Sequence, residues 1–239
     1  MMKRFGKQLA DFVDSKDTFK LVFQTRAPHS SIHILDSSFN PPHHGHLQLI
    51  KSSKNLSHVV LLLSINNADK LPKPAAFDER LDMIFEFGEC LKTDNVDYSI
   101  CLSKSPKFVD KSAQLDKQFQ KKKYFLLGFD TLVRIFDQKY YIEPIEVALK
   151  EFMEGNEFIC VTRSRDYEHQ INYLKDLSSG NSSLPSIWAE KINLFPNGES
   201  SNEISSSQIR DRVKEGESIK GLTFDTIVDY IDNLDLYKD

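Results

Sequence analysis

The chain has no cysteine framework. Its three cysteines, Cys90, Cys101 and Cys160, each sit in an apolar setting, and none forms a CxxC pair. They read as buried free thiols of a reducing compartment. Membrane-length apolar runs are absent too: VVLLL at 59–63 is far too short to span a bilayer. The amino-terminal MMKRFGKQLADFV carries polar and charged residues early, so no secretory leader is expected. A cytoplasmic or nuclear setting, with no membrane partner, is the expectation. Nor is there a strong charge of one sign. With a net charge of −4, a general nucleic-acid coat is excluded, though a local phosphate site needs no global positive charge. No internal repeat is visible. What is there is 239 residues, 40% of them hydrophobic, enough for one sizeable core.

The hydrophobic pattern alternates between two periods. Phe5, Leu9, Phe12 and Val13 recur at helical spacing, so residues 1–30 are read as an amino-terminal helical extension. From 31 to 239 a single domain is expected. Short apolar runs at 32–35, 58–64, 96–103, 123–128, 157–163 and 191–195 read as strands. Helical patterns fill most of the gaps, at 44–56, 78–91 and after Gly128, and two more close the chain at 206–215 and 223–235. Such alternation implies an α/β fold: an open parallel sheet with helices on both faces and a carboxyl-terminal helical segment. SSGNSSLPS at 178–186 reads as a surface loop.

In open α/β sheets, ligands bind beyond the carboxyl ends of the strands. Four segments fall there. The first is DSSFNPPHHGHLQL at 36–49, with three histidines in four positions where a loop becomes a helix. His43 and His46 are three apart and share one side of a helix start. Helix starts offer unpaired N–H groups and a positive dipole end, so the pair suits an anion, with two donors of adjustable charge. Gly45 would let a phosphate approach the backbone. A chance polar cluster and a zinc pair are the rival readings; the zinc pair would need ligands that no cysteine motif supplies. The second segment is ISSSQIR at 204–210, where Ser205, Ser206 and Ser207 open a helix and Arg210 follows. Ser205 or Ser206 could simply cap that helix. With Arg210, the hydroxyls also suit a triphosphate. Gly128 with Asp130, and Arg163 with Arg165, complete the edge.

Together these segments resemble the HxGH and ISSTxxR signatures of the HIGH-type nucleotidyltransferases, and within them the nicotinamide-mononucleotide adenylyltransferases, eukaryotic branch. SSFNPPHHGHL is similar to the GSFNP or GTFDPxHxGH start of that family, GFDTLVRIF to its GAD helix, and NNADKLPK with DERLDMI to its lysine-bearing loop and following helix. The likeness covers roughly 32–236. It implies a Rossmann-like fold and adenylyl transfer from ATP to nicotinamide mononucleotide, giving NAD and pyrophosphate with Mg²⁺ bridging phosphate oxygens. It implies catalytic roles for His43, His46 and Arg210. Substrate contacts would come from Ser37, Ser38, Phe39, Asn40, Gly45, Lys70, Lys73, Gly128, Asp130, Arg163, Ser205, Ser206 and Ser207. Relatives assemble, so a homo-oligomer is an expectation, and no dedicated protein metal site is.

Three positions depart from that pattern. The family's glycine before Ser-Phe is Ser37, preceded by Asp36. The threonine of ISST is Ser207. The tryptophan that stacks on nicotinamide in the eukaryotic enzymes is missing from PNGESSNE at 196–203. Trp188, the single tryptophan, reads as core, and Tyr98 is the candidate substitute for the stacking ring. Two alternatives stay open: a cytidylyltransferase acting on a phosphorylated alcohol, and a nucleotide-binding protein with weak or no transfer that acts through a partner. Lys121-Lys122-Lys123 reads as a solvated strand entrance.

Overall fold

The computed structural model describes residues 3–28, 30–54, 56–65, 74–162, 167–195 and 204–238. Its frame is one seven-stranded sheet: β1 (Phe19–Gln24), β2 (Ser31–Asp36), β3 (His58–Ser64), β4 (Asp97–Ser103), β5 (Lys122–Gly128), β6 (Asn156–Val161) and β7 (Ile192–Phe195), in the order β1-β4-β3-β2-β5-β6-β7. Every pairing is parallel except β1 on β4. The central strands β2 to β5 are buried along most of their length, as strands covered on both faces must be.

Side-chain alternation divides the core between two faces. Leu35, Val59, Leu61 and Ile100 belong to one cluster. It is closed by α1 (Gly6–Asp14), α2 (His44–Lys51), α3 (Phe77–Thr93), α9 (Ser206–Lys214) and α10 (Asp225–Asn233). Ile34, Val60, Leu62 and Phe125 belong to the other. Over it lie α4 (Phe108–Phe119), α5 (Phe129–Ile135), α6 (Ile145–Ala148), α7 (Lys150–Gly155) and α8 (Tyr167–Ser178). This is a doubly wound, Rossmann-like arrangement. The chain runs outward from β2 through β3 to β4, then crosses back to β5 on the other side of β2. The strand order therefore reverses between β2 and β5, and the crevice beyond their carboxyl ends is where such sheets take ligands.

Two sequence expectations need correction here. Residues 1–30 are not simply a helical extension. After α1 the chain forms β1, which pairs antiparallel along β4 and supplies one edge of the same sheet. Its FKLVFQ pattern is half-buried with one fully buried residue, too weak an alternation to announce a strand. The helix expected over 44–56 ends at Lys51, capped at Ser52. Trp188 packs in the core as expected, stacked on Phe136 at 5.7 Å between ring centroids. Of the lysine triplet, Lys122 pairs with Glu157 at the surface, but Lys123 is buried and pairs with Asp116. Cys101 and Cys160 are buried and Cys90 half-buried, all as free thiols.

Candidate active site

The chain leaves β2 at Asp36, turns through Ser37–His43 and enters α2 at His44. Phe39 holds a positive φ of 45°, and the Asn40–Pro41 bond is cis. This loop is pinned chiefly by the carboxyl-terminal part of the protein. Arg210 Nη1 donates to the Asn40 carbonyl at 2.8 Å, and Ser206 Oγ donates to the Pro41 carbonyl at 2.8 Å. Thr223 Oγ1 donates to the Pro42 carbonyl at 2.7 Å, and the His44 N–H to the Leu222 carbonyl at 3.0 Å. Tyr237 Oη donates to Asn40 Oδ1 at 2.8 Å. Residues some 170 positions apart in sequence thus form one structural unit at the carboxyl edge.

Within α9 the hydroxyls divide their work. Ser205 Oγ accepts the Gln208 N–H at 3.1 Å and caps the helix, the simpler of the two sequence readings. Ser207 Oγ accepts from Arg210 Nη2 at 3.0 Å. Two sides of the Arg210 guanidinium are thereby fixed, so its charge is held over the turn that carries the histidines.

The histidines differ from the expectation of adjustable charge. The His46 ring packs against His43 at a tilt of 35°, with centroids 3.8 Å apart, and rests on Phe39 and Phe87. Burial pushes His43 down to about 4, with repulsion from His44 added. Burial likewise drives His46 well below its ordinary value, with His43 contributing. Near neutral pH both rings are uncharged, and Arg210 supplies the fixed positive charge. His43 Nδ1 is buried with no hydrogen-bond partner among the described residues.

Gly45 has a different reason from the one expected. A Cβ there would lie 2.9 Å from His43 Nδ1 and 3.0 Å from the Ile204 carbonyl. The missing side chain admits the protein's own ring and backbone. Phe39 is also reassigned: it is fully buried and supports the His46 ring from below, so it is not a substrate contact. Ser38 is exposed on the loop.

On the other side of the switch point, Gly128 ends β5 and starts α5, and a Cβ there would meet nothing within 4 Å. Asp130 is exposed in the first turn of α5; its charge adds to the burial that raises the Cys160 thiol to about 12. Tyr98 must be withdrawn. It sits at the amino end of β4, away from this edge, fully buried. Its hydroxyl donates to Glu89 at 2.7 Å, and its ring fills the space left by Gly88. Lys70, Lys73 and Arg163, with Arg165, lie outside the described residues.

The sequence reading missed Arg80. It lies in α3, buried, with Nε donating to the Ala75 carbonyl at 3.0 Å and Nη2 unpartnered among the described residues. Burial lowers its pKa, and Arg210 lowers it further. Two guanidinium groups therefore bear on one region. The signal in the sequence was an arginine within the apolar spacing of 77–91, inside the DERLDMI stretch that carries part of the family resemblance. Among the described residues no three His, Cys, Asp or Glu side chains gather to hold a metal.

A parallel sheet with a phosphate-suited crevice at its switch point, fed by two helix starts, defines a nucleotide-handling α/β protein. The chain belongs to the cytidylyltransferase-like family, whose model matches residues 34–212. Within it the chain falls among the adenylyltransferases of nicotinamide or nicotinic acid mononucleotide. It is 35% identical over 224 residues to the Schizosaccharomyces pombe protein named "Putative nicotinamide mononucleotide adenylyltransferase", covering 90% of this chain and 88% of that one. A Caldicellulosiruptor saccharolyticus protein named "Probable nicotinate-nucleotide adenylyltransferase" is 27% identical, covering 86% of this chain and 98% of that one. Among solved structures, the Plasmodium falciparum nicotinic acid mononucleotide adenylyltransferase complexed with NaAD shares the fold. The TM-score is 0.61 at 22% identity, covering 87% of this chain and 98% of that one.

Proposed function

We propose that the protein transfers the adenylyl group of ATP to the 5′-phosphate of nicotinamide mononucleotide, releasing pyrophosphate and forming NAD. One observation carries this reading: Arg210 reaches the Asn40 carbonyl at 2.8 Å, so both signature segments meet at one place on the carboxyl edge of the sheet. The phosphate of the mononucleotide attacks the α-phosphorus of ATP in line, and the P–O bond to pyrophosphate breaks. No protein nucleophile is needed. The protein's work is positioning and charge stabilisation, as in phosphoryl transfer generally.

In this reading Arg210 holds the β- and γ-phosphates, helped by the hydroxyl hydrogen that Ser207 keeps while accepting from Arg210; Ser206 has given its own to the Pro41 carbonyl and braces the loop. Arg80 adds positive potential from α3. His43, whose Nδ1 has no partner among the described residues, contributes hydrogen bonding rather than charge, and the start of α2 adds its dipole. Asp130, exposed in the first turn of α5, would bond a ribose hydroxyl. Mg²⁺ would enter with the ATP substrate and neutralise charge on its phosphates. Preference for the nicotinamide form is supported by the name of the Schizosaccharomyces pombe relative, which shares more identity than the nicotinate-named one.

The test is a purified-protein assay with ATP, Mg²⁺ and either nicotinamide or nicotinic acid mononucleotide. NAD and pyrophosphate in equal amounts, with the nicotinamide form favoured, are expected. No dinucleotide from either form at high enzyme concentration would overturn the reading. A CTP arm separates it from cytidylyl transfer, since only ATP should raise the thermal midpoint.

A further inference from the structure

His46 carries one ring proton, and its place is fixed. Nδ1 accepts the backbone N–H of His43 at 3.1 Å, so the proton of the neutral ring is on Nε2. Nε2 lies 2.9 Å from Ser37 Oγ. The donor that would be offered to a phosphate is therefore already given to a serine of the same loop.

Ser37 continues the line of β2, with its N–H donating to the Leu62 carbonyl at 3.2 Å. Its hydroxyl accepts from His46 and keeps a hydrogen of its own, and among the described residues Oγ has no other hydrogen-bond partner. The neighbouring carboxylate does not take that hydrogen. Asp36 precedes Ser37 along the strand and faces the opposite side of the sheet, where it accepts from Ser64 at 3.2 Å and pairs with the buried Lys111. Ser37 is half-buried, in the loop that leaves the carboxyl end of β2. The related enzymes, as the sequence pattern implies, have glycine here, which offers no hydroxyl.

We propose that Ser37 is the group that touches the nucleotide's phosphate, and that His46 is a positioning residue acting through it. The chain of donors runs from His46 Nε2–H to Ser37 Oγ, and from Ser37 Oγ–H to a non-bridging phosphate oxygen. Each bond in such a chain polarises the next, so a buried neutral imidazole strengthens a hydroxyl donor at the surface. The inference rests on the adenylyl-transfer reading for its substrate, but the hydrogen-bond chain is a property of this protein's own residues.

The experiment compares Ser37→Ala, Ser37→Gly, Ser37→Thr, His46→Ala and the Ser37→Ala/His46→Ala double variant in the full-length protein. Thermal midpoints are measured alongside, to separate lost folding from lost chemistry. Ser37→Ala should lower kcat by about 10- to 100-fold, as loss of one preorganised donor does. Ser37→Thr, which keeps the hydroxyl, should retain most of the rate, and Ser37→Gly should lose less than Ser37→Ala because water can enter. The double variant should be no slower than His46→Ala alone, because the two groups act in series. Ser37→Ala or Ser37→Gly at or above the parent rate would overturn the proposal, since the hydroxyl would then occupy the phosphate's place and have to leave. Calorimetric binding of an α,β-methylene ATP analogue with Mg²⁺ gives a readout free of turnover. Ser37→Ala should bind about tenfold more weakly, by the same donor loss, and equal or tighter binding would overturn the proposal. If the parent forms no dinucleotide, the functional reading fails while this binding comparison still decides the role of Ser37.

Discussion

Arg210 illustrates what a single side chain does at this edge. Its fork spans the Asn40 carbonyl and Ser207 Oγ, tying the loop after β2 to the start of α9. A lysine keeps the charge but has no rigid fork. Arg210→Lys should therefore raise the KM for ATP about tenfold, within the usual worth of hydrogen bonds to a charged group, and lower kcat as the loop loosens. Unchanged ATP kinetics would mean that the guanidinium is only a brace. The residues of this edge were legible in sequence because their types are unusual where they stand: three histidines at a helix start, and three serines before an arginine. Their division of labour was not legible. What Ser206 holds, and whether Gly45 admits a phosphate or the Ile204 carbonyl, depends on contacts across about 160 residues that no local pattern encodes. Tyr98 was misplaced for a related reason. Aromatic character is visible in sequence, but which end of a strand a residue occupies matters more than its ring.

At the scale of elements, α3 and the central strands carry testable strain and titration. Gly88 sits inside α3, and a Cβ there would lie 2.2 Å from Tyr98 Cε2, held in turn by Phe23 and Phe85. Gly88→Ala should therefore destabilise the protein by about 2–3 kcal/mol through overpacking, despite alanine's better helix propensity. A urea titration showing equal or greater stability would contradict this packing. On β2 and β3, His33 stacks on Tyr124 at 4.9 Å and His58 meets Ser99 Oγ at 2.8 Å. Burial dominates for both and holds each at about 4, against an ordinary 6.5; a bond with the His58 backbone opposes it for His33, and Asp97 opposes it for His58. The unfolded chain therefore binds protons that the folded chain refuses. The stability these neutral rings contribute is complete above about pH 6.5 and is lost as pH falls towards 4. Urea midpoints should fall steadily over that window, while a flat profile would show that the rings are free to charge in place.

Taken whole, the molecule is one sheet closed by its two ends. The amino-terminal segment adds β1 to β4 and packs Phe5 and Phe12 into the core, where Phe5 lies 5.9 Å from Phe85. The carboxyl-terminal segment returns through α10 to place Tyr237 on Asn40. The doubly wound architecture was readable because its central strands are largely apolar runs of strand length, separated by helical spacing. Edge strand β1 was not, because FKLVFQ is mostly half-buried and mixed in sequence, whereas the opposite edge, β7, shows as a short apolar run. Removing residues 1–30 should therefore expose the β4 edge and part of the core, giving protein that aggregates or melts without cooperativity. A soluble truncated chain with the parent's thermal midpoint would show that the segment is a separable extension after all.

The central claim is that the loop after β2 and the start of α9 grip one polyphosphate. A crystal structure of the protein with an ATP analogue and Mg²⁺ tests it most directly. Arg210 should lie on the β- or γ-phosphate, and the Ser37–His46 pair on the same triphosphate. A nucleotide seated elsewhere, or held by one of these segments with the other facing away, would contradict it.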